Sequence, residues 1–168
     1  MKNTFKIAIL ALITTLFVTS CSMSPKVVQN WDTVSVHYTG TFENGEKFDS
    51  SYDRWMTLDF QVWAWNMISG FDKAVVGMKV WEKKSISLAP SEAYWEISED
   101  NYKIVEKSEL KAFEDAWIKL EKGQVLPTDI WNIEIVNSDE TTVTLNGNHP
   151  MAGKTLKFDI EMVNIVRE

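Results

Sequence analysis

The chain has 168 residues, 45% hydrophobic and 24% charged, the balance of one globular domain or one domain carrying an insertion. That excludes a disordered or collagen-like chain and a multi-span membrane protein. A net charge of −7 disfavours nucleic acid as a partner, and two His with one Cys supply neither a zinc ligand set nor a disulfide.

Lys2 and Lys6 precede an uncharged apolar run over residues 7–18. That run is shorter than the about 20 residues a spanning helix needs, and it fits a secretory signal. It ends in Val18-Thr19-Ser20-Cys21, which resembles the lipobox of a bacterial lipoprotein signal. By that resemblance residues 1–20 are removed and Cys21 becomes the lipidated first residue, placing the protein outside the cytoplasm. The anchor would hold it to the cell membrane, on the outer face or the periplasmic side. The alternatives are a plain signal peptide with a chance Cys, or an uncleaved anchor. The position of the single Cys favours lipidation. Residues 21–30 are polar, carry Pro25 and read as a tether.

Thr33-Val34-Ser35-Val36-His37-Tyr38 alternates with period two, as a half-buried strand does. Asn44-Gly45 between apolar runs marks a hairpin turn. Residues 57–62 alternate again. Phe71, Ala74, Val75 and Met78 recur at helical spacing, with Gly70 and Gly77 near the two ends, predicting one short helix. Residues 84–88 return to strand and stop before Pro90. From 97 to 122 the chain is charged, and Ser108 is placed to cap a short helix. Residues 133–136 and 142–145 flank Asn137-Ser138-Asp139-Glu140, a hairpin pattern, and residues 155–163 form a long alternating strand. The expected fold is α+β, mainly β: an antiparallel half-barrel sheet wrapped on one short helix, with an inserted small β-rich lobe. The main domain would take residues 31–95 and 148–168, and the insert residues 96–147.

Val36-His37-Tyr38-Thr39-Gly40, Lys47-Phe48-Asp49-Ser50-Ser51, Ile68-Ser69-Gly70-Phe71 and Ala93-Tyr94 stand in an order and spacing that resemble the FKBP-type peptidyl-prolyl isomerases. Asn148-His149-Pro150-Met151-Ala152-Gly153-Lys154 is similar to the SlyD-like branch, in which a chaperone domain is inserted in the flap. The resemblance covers about residues 32–167. It implies an isomerase with chaperone activity on proline-containing, unfolded or partly folded exported polypeptides, working as a monomer and without a cofactor. Branch members often end in a His- and Cys-rich metal-binding tail. No such tail is seen before Glu168, so nickel handling is not implied and no metal is expected.

Rotation about an X-Pro bond crosses a barrier of about 18–20 kcal/mol and breaks no bond, so it needs neither nucleophile nor proton donor. An apolar pocket that removes water from the imide, with a donor placed for the twisted state, lowers the barrier. The resemblance implies that Phe48, Leu58, Phe60, Met67, Phe71 and Phe158 line this pocket with Tyr38 and Ile68, with Phe71 as its floor. It assigns the Ile68 N–H and the Tyr94 hydroxyl to substrate carbonyls, and Asp49 to the rim, orienting Tyr38 or the bound backbone. Read without it, Phe60, Phe71 and Phe158 are equally core residues, Tyr38 a core tyrosine, and Asp49 a turn cap. His37 is expected on the outer strand face and His149 in a turn. In the insert, Val125, Leu126, Ile130, Ile133 and Ile135 either bind unfolded chains or form the insert's own core. The rival function is an inactive peptide-binding or holdase lipoprotein.

One count is anomalous: 8 Trp against 7 Gly, where Gly is ordinarily about 7% of residues. Trp63, Trp65, Trp81 and Trp95 stand where the family carries Gly, and Trp31, Trp55, Trp117 and Trp131 lie at similar turn positions. Two explanations are open. The tryptophans are real and crowd the pocket entrance, or they are UGA codons that the source reads as glycine.

Overall fold

The computed structural model describes residues 25–167. The apolar run and Cys21 lie outside the described residues. Strand β1 (Thr33–Phe42) buries Val34, Val36, Tyr38 and Gly40 and turns the residues between them outward. The chain reverses through Asn44-Gly45, with Gly45 at φ 84°, into β2 (Lys47–Ser50), which pairs antiparallel with β1 from Thr39 to Thr41. Strand β3 (Leu58–Gln61) takes the same edge of β1 lower down, from Thr33 to Val36.

The expected helix is α1 (Ser69–Val75), which buries Gly70, Phe71, Asp72, Ala74 and Val75. Strand β4 (Lys83–Leu88) follows. The chain then leaves this sheet and forms a second one from β5 (Tyr102–Glu106), β6 (Val125–Leu126), β7 (Ile133–Ser138) and β8 (Thr142–Asn146), in the order β5-β8-β7-β6. Its core is small: Leu120, Leu126, Ile135 and Val143 are buried, with Val105, Leu110, Phe113, Ile118 and Leu145 packed around them. Ser108 does not cap a helix. Residues 107–110 form a 3-10 turn tied to the second sheet through the Lys107 N–H and the Thr141 carbonyl at 2.9 Å. Helix α2 (Lys111–Asp115) therefore starts after Leu110, with no side-chain cap.

Strand β9 (Leu156–Val166) returns to the first sheet between β1 and β4, antiparallel to both. Its inward residues Leu156, Phe158, Ile160 and Met162 meet Phe71, Val75 and Met78 in the main core. The architecture is thus mainly β with short helices, as expected. Where the chain enters and leaves the second lobe, one buried side chain joins the two crossings. The Asn148 carboxamide accepts from the Ser98 N–H at 2.9 Å and donates to the Ser98 carbonyl at 3.1 Å. It also accepts from the Asn101 side chain at 3.0 Å. No helix among the described residues is long and apolar enough to cross a membrane.

Asp32, 2% exposed, closes the start of β1 onto the end of β9. It accepts from Arg167 Nε at 2.7 Å, from Arg167 Nη2 at 2.6 Å, and from the Gln29 N–H at 2.8 Å. The Arg167 bonds outweigh burial and hold the carboxyl below the usual carboxylate range. The folded chain therefore binds this proton less readily than the unfolded one. The pair's stabilisation is present at neutral pH and is lost as pH falls through the depressed value. Arg167→Ala is expected to lower the melting temperature at pH 7, because a buried carboxylate loses its cation. The deficit should be smaller at about pH 3, where the variant's Asp32, no longer held down by Arg167 and pushed up by burial, takes up a proton and leaves no unpaired buried charge. Thermal denaturation of both chains at the two pH values checks this.

Candidate active site

A cleft of about 540 Å³ opens between the first sheet, α1 and the segments flanking the second lobe. Its inner wall is aromatic. The Phe71 ring, 1% exposed, stands edge-on to Phe158 with centroids 5.3 Å apart, and edge-on to Tyr38 at 6.0 Å. Phe48 meets Phe158 edge-on at 5.7 Å. These edge-to-face contacts suit the ring quadrupoles and fix the wall's shape. Gly40 makes the wall possible, since a Cβ there would lie 2.6 Å from the Phe48 ring and 3.1 Å from Phe158.

The structure brings Tyr38, Phe48, Asp49, Leu58, Met67, Ile68, Phe71, Tyr94 and Phe158 together around the cleft. Phe60 is the exception. It is buried behind the floor, edge-on to Phe71 at 5.8 Å, and does not line the space. Inward alternation on β3 is the same for a core residue and a pocket residue, so the pattern could not separate the two. Met151, which the sequence reading missed, lines the cleft where the chain leaves the second lobe.

At the rim, the Tyr38 hydroxyl and Arg54 Nη1 both donate to the Asp49 carboxylate, and Arg54 Nη2 donates to the Tyr38 oxygen at 3.0 Å. The Ser50 N–H adds a bond to Asp49 at 2.8 Å. Burial alone would raise the Asp49 pKa. The bonds from Arg54 and Tyr38 outweigh it and keep the carboxyl below its usual range. Burial, helped by Asp49, raises the Tyr38 pKa, so its hydroxyl stays protonated. Arg54 went unrecognised in the sequence because it stands in an exposed turn with no periodic pattern. Its only signal is a cation five residues after an acid.

Ile68 precedes α1, and its carbonyl accepts from the Phe71 and Asp72 N–H groups at 3.0 and 3.2 Å. Its own N–H has no protein acceptor among the described residues. Neither does the Tyr94 hydroxyl, whose pKa burial and the Asp49 charge raise, leaving a neutral donor. His149 sits in a turn as expected, accepting from the Met151 N–H at 3.1 Å, and its ring also stacks on Tyr94 at 3.9 Å and 4°. Burial pushes the His149 pKa down, which favours a neutral ring in that stack. His37 stacks on Tyr52 at 4.5 Å and bonds the Ser51 hydroxyl at 3.0 Å, away from the cleft.

In the second lobe, Leu126 and Ile135 are core, and Ile133 is half-buried. Val125 and Ile130 are exposed, the latter at 80%. Among the described residues no group of His, Cys, Asp and Glu is placed to hold a metal ion.

Residues 24–163 match the family described as FKBP-type peptidyl-prolyl cis-trans isomerase. A probable FKBP-type 16 kDa peptidyl-prolyl cis-trans isomerase from Pseudomonas fluorescens is 30% identical over 145 residues, covering 83% of this chain and 92% of that one. Peptidyl-prolyl cis-trans isomerase FKBP9 of Rattus norvegicus is 38% identical over 110 residues, which are 66% of this chain but 17% of the rat protein. FK506-binding protein 1A of Neurospora crassa is 46% identical over 63 residues, 38% of this chain and 52% of its own. The crystal structure of FkpA from Escherichia coli superposes with a TM-score of 0.48 at 21% identity, over 84% of this chain and 43% of that one. The chain belongs to the FKBP-type peptidyl-prolyl cis-trans isomerase family.

Proposed function

We propose that the aromatic cleft is where this isomerase turns X-Pro bonds of exported polypeptides, and that the second lobe holds the unfolded client nearby. Supporting the first part is one juxtaposition: the Ile68 N–H and the Tyr94 hydroxyl, neither with a partner among the described residues, border a wall built from Phe71, Phe158, Phe48 and Tyr38. A proline ring against that wall sheds water. The imide carbonyl then loses the hydrogen bonds that favour its planar, charge-separated form. A donor at each end of the bound segment keeps the backbone in place while the bond twists. Asp49 and Arg54 do not touch the rotating bond; they hold the Tyr38 ring at its edge.

A SlyD-like insert-in-flap arrangement is favoured by the Asn148-His149-Pro150 segment at the lobe's exit and by a sheet with its own core. Ile104 at 75% and Ile130 at 80% exposure on that lobe suit contact with unfolded chains. They also favour the second reading, a lipoprotein that binds clients without turning them over. The lipobox-like Val18-Thr19-Ser20-Cys21 supports membrane anchoring.

A protease-free isomerisation assay on a proline peptide separates the two readings. Acceleration that FK506 suppresses is expected. Binding of an unfolded chain without acceleration would leave only the holdase. Tyr94→Phe removes one donor and is expected to lower kcat/KM about three- to ten-fold with little change in melting temperature, the size of one neutral hydrogen bond. Cys21→Ser should move the protein from the membrane to the soluble fraction.

A further inference from the structure

Positive φ is glycine's region of conformational space, and a bulky side chain there is an outlier. Among the described residues the glycines with positive φ are Gly45, Gly77, Gly123 and Gly153. Every other residue with positive φ is a tryptophan: Trp31, Trp55, Trp63, Trp65, Trp81, Trp95 and Trp117, at φ between 54° and 70°. Asn and Asp, the side chains that tolerate this region best, do not occur there at all. An outlier confined to one residue type points to one cause.

These indoles gain little in return. A tryptophan stabilises a fold chiefly by burying its large surface. Yet Trp31, Trp55, Trp65, Trp81, Trp95 and Trp117 are between 61% and 95% exposed. The backbone around them is the kind that glycine closes. At the end of α2 the Trp117 N–H donates to the Glu114 carbonyl at 2.8 Å, and the Ile118 N–H to the Phe113 carbonyl at 2.9 Å. That pair of bonds is the Schellman motif, whose left-handed residue is usually glycine, and Trp117 occupies that position. Trp55 closes a turn onto the Tyr52 carbonyl at 3.2 Å, and Trp81 and Trp95 donate to Met162 and Pro90, each at 2.7 Å. Trp131 is not among these residues, and its buried indole N–H finds no acceptor.

We infer that the native protein carries glycine at positions 31, 55, 63, 65, 81, 95 and 117, through a codon, UGA, that its source reads as glycine. One reassigned codon accounts for seven backbone outliers together. Seven separate substitutions would each place a bulky side chain in a backbone conformation natural to glycine, and of the seven indoles Trp63 alone packs against the main core. Two of the positions, 65 and 95, border the cleft. With glycine at both, its mouth is edged by main chain, and the residues flanking a bound proline meet backbone rather than indole. That last consequence rests on the isomerase reading; the identity of the residues does not.

The decisive measurement is the mass of peptides spanning these positions in protein isolated from its source. Glycine masses, each lighter by an indolylmethyl group exchanged for hydrogen, are expected. A tryptophan mass at any of the seven, or UGG in the gene there, overturns the inference. Recombinant chains give an independent readout. The sevenfold Trp→Gly chain should melt about 10 °C or more above the chain with tryptophan, since relief of left-handed strain exceeds the added flexibility of glycine in the unfolded state. An equal or lower melting temperature counts against it. Glycine masses together with an inactive glycine chain would uphold this inference and sink the isomerase reading.

Discussion

Phe71→Ala is expected to cost about 3–5 kcal/mol and to lower the melting temperature by about 10 °C or more. The ring is 1% exposed and touches Phe60, Tyr38 and Phe158 edge-on, so its removal leaves a hole bounded by three rings that cannot collapse together. The same ring is the floor of the cleft, and stability must be separated from catalysis. Phe71→Leu fills most of the volume and should melt between the two chains. It is nonetheless expected to lose about ten-fold in kcat/KM, because a branched alkyl group cannot offer a flat face to proline or an edge contact to Phe158. Thermal denaturation and the isomerisation assay, run on all three chains, check both parts. A leucine variant with unchanged kcat/KM would show that the floor is only core.

Asp49→Ala is expected to lower kcat/KM by about ten-fold. Hydrogen bonds to charged groups contribute about 1.5–3 kcal/mol, and solvent access to the carboxylate places this pair at the low end. The effect would come through Tyr38, whose hydroxyl loses its acceptor and whose ring gains freedom at the cleft edge. Asp49→Asn, which still accepts a hydrogen bond, should fall between. Because the native carboxyl titrates below its usual range, kcat/KM of the parent chain should stay level from pH 8 down to about pH 5. Loss of rate within that interval would show that another group governs the rim.

Much of the fold was legible because its main strands have one wet face and one buried face. Val34, Val36 and Tyr38 on β1, and Phe158, Ile160 and Met162 on β9, alternate in the sequence as they do in space. Spacing placed α1, and Asn44-Gly45 placed the first reversal. The cleft was legible only through several short motifs in order, since any one of them is also a core pattern. Long-range pairings were not legible. Tyr94 and His149 stack although the whole second lobe lies between them in the chain, and no periodicity marks such a meeting. Asn148 reads as a turn residue, yet it is a buried clamp. Ser108 has the right chemistry for a cap but sits in a tighter turn, because the Lys107 N–H is already engaged across the sheet.

That clamp bears on how the chain finds its fold. Strands β4 and β9 are neighbours in the sheet, but everything between Leu88 and Leu156 must be brought round before they pair. Closing a long loose loop has an entropic cost that only later contacts repay, and such pairings form slowly. Within the second lobe the β6-β7-β8 pairings are local and can form early, and β5 joins β8 across a shorter stretch of chain than separates β4 from β9. Once Asn148 at the lobe's exit bonds Ser98 at its entry, the intervening segment acts as a short connection rather than a long one. A second lobe that lengthens the chain between β4 and β9 thereby need not delay closure of the sheet that carries the cleft.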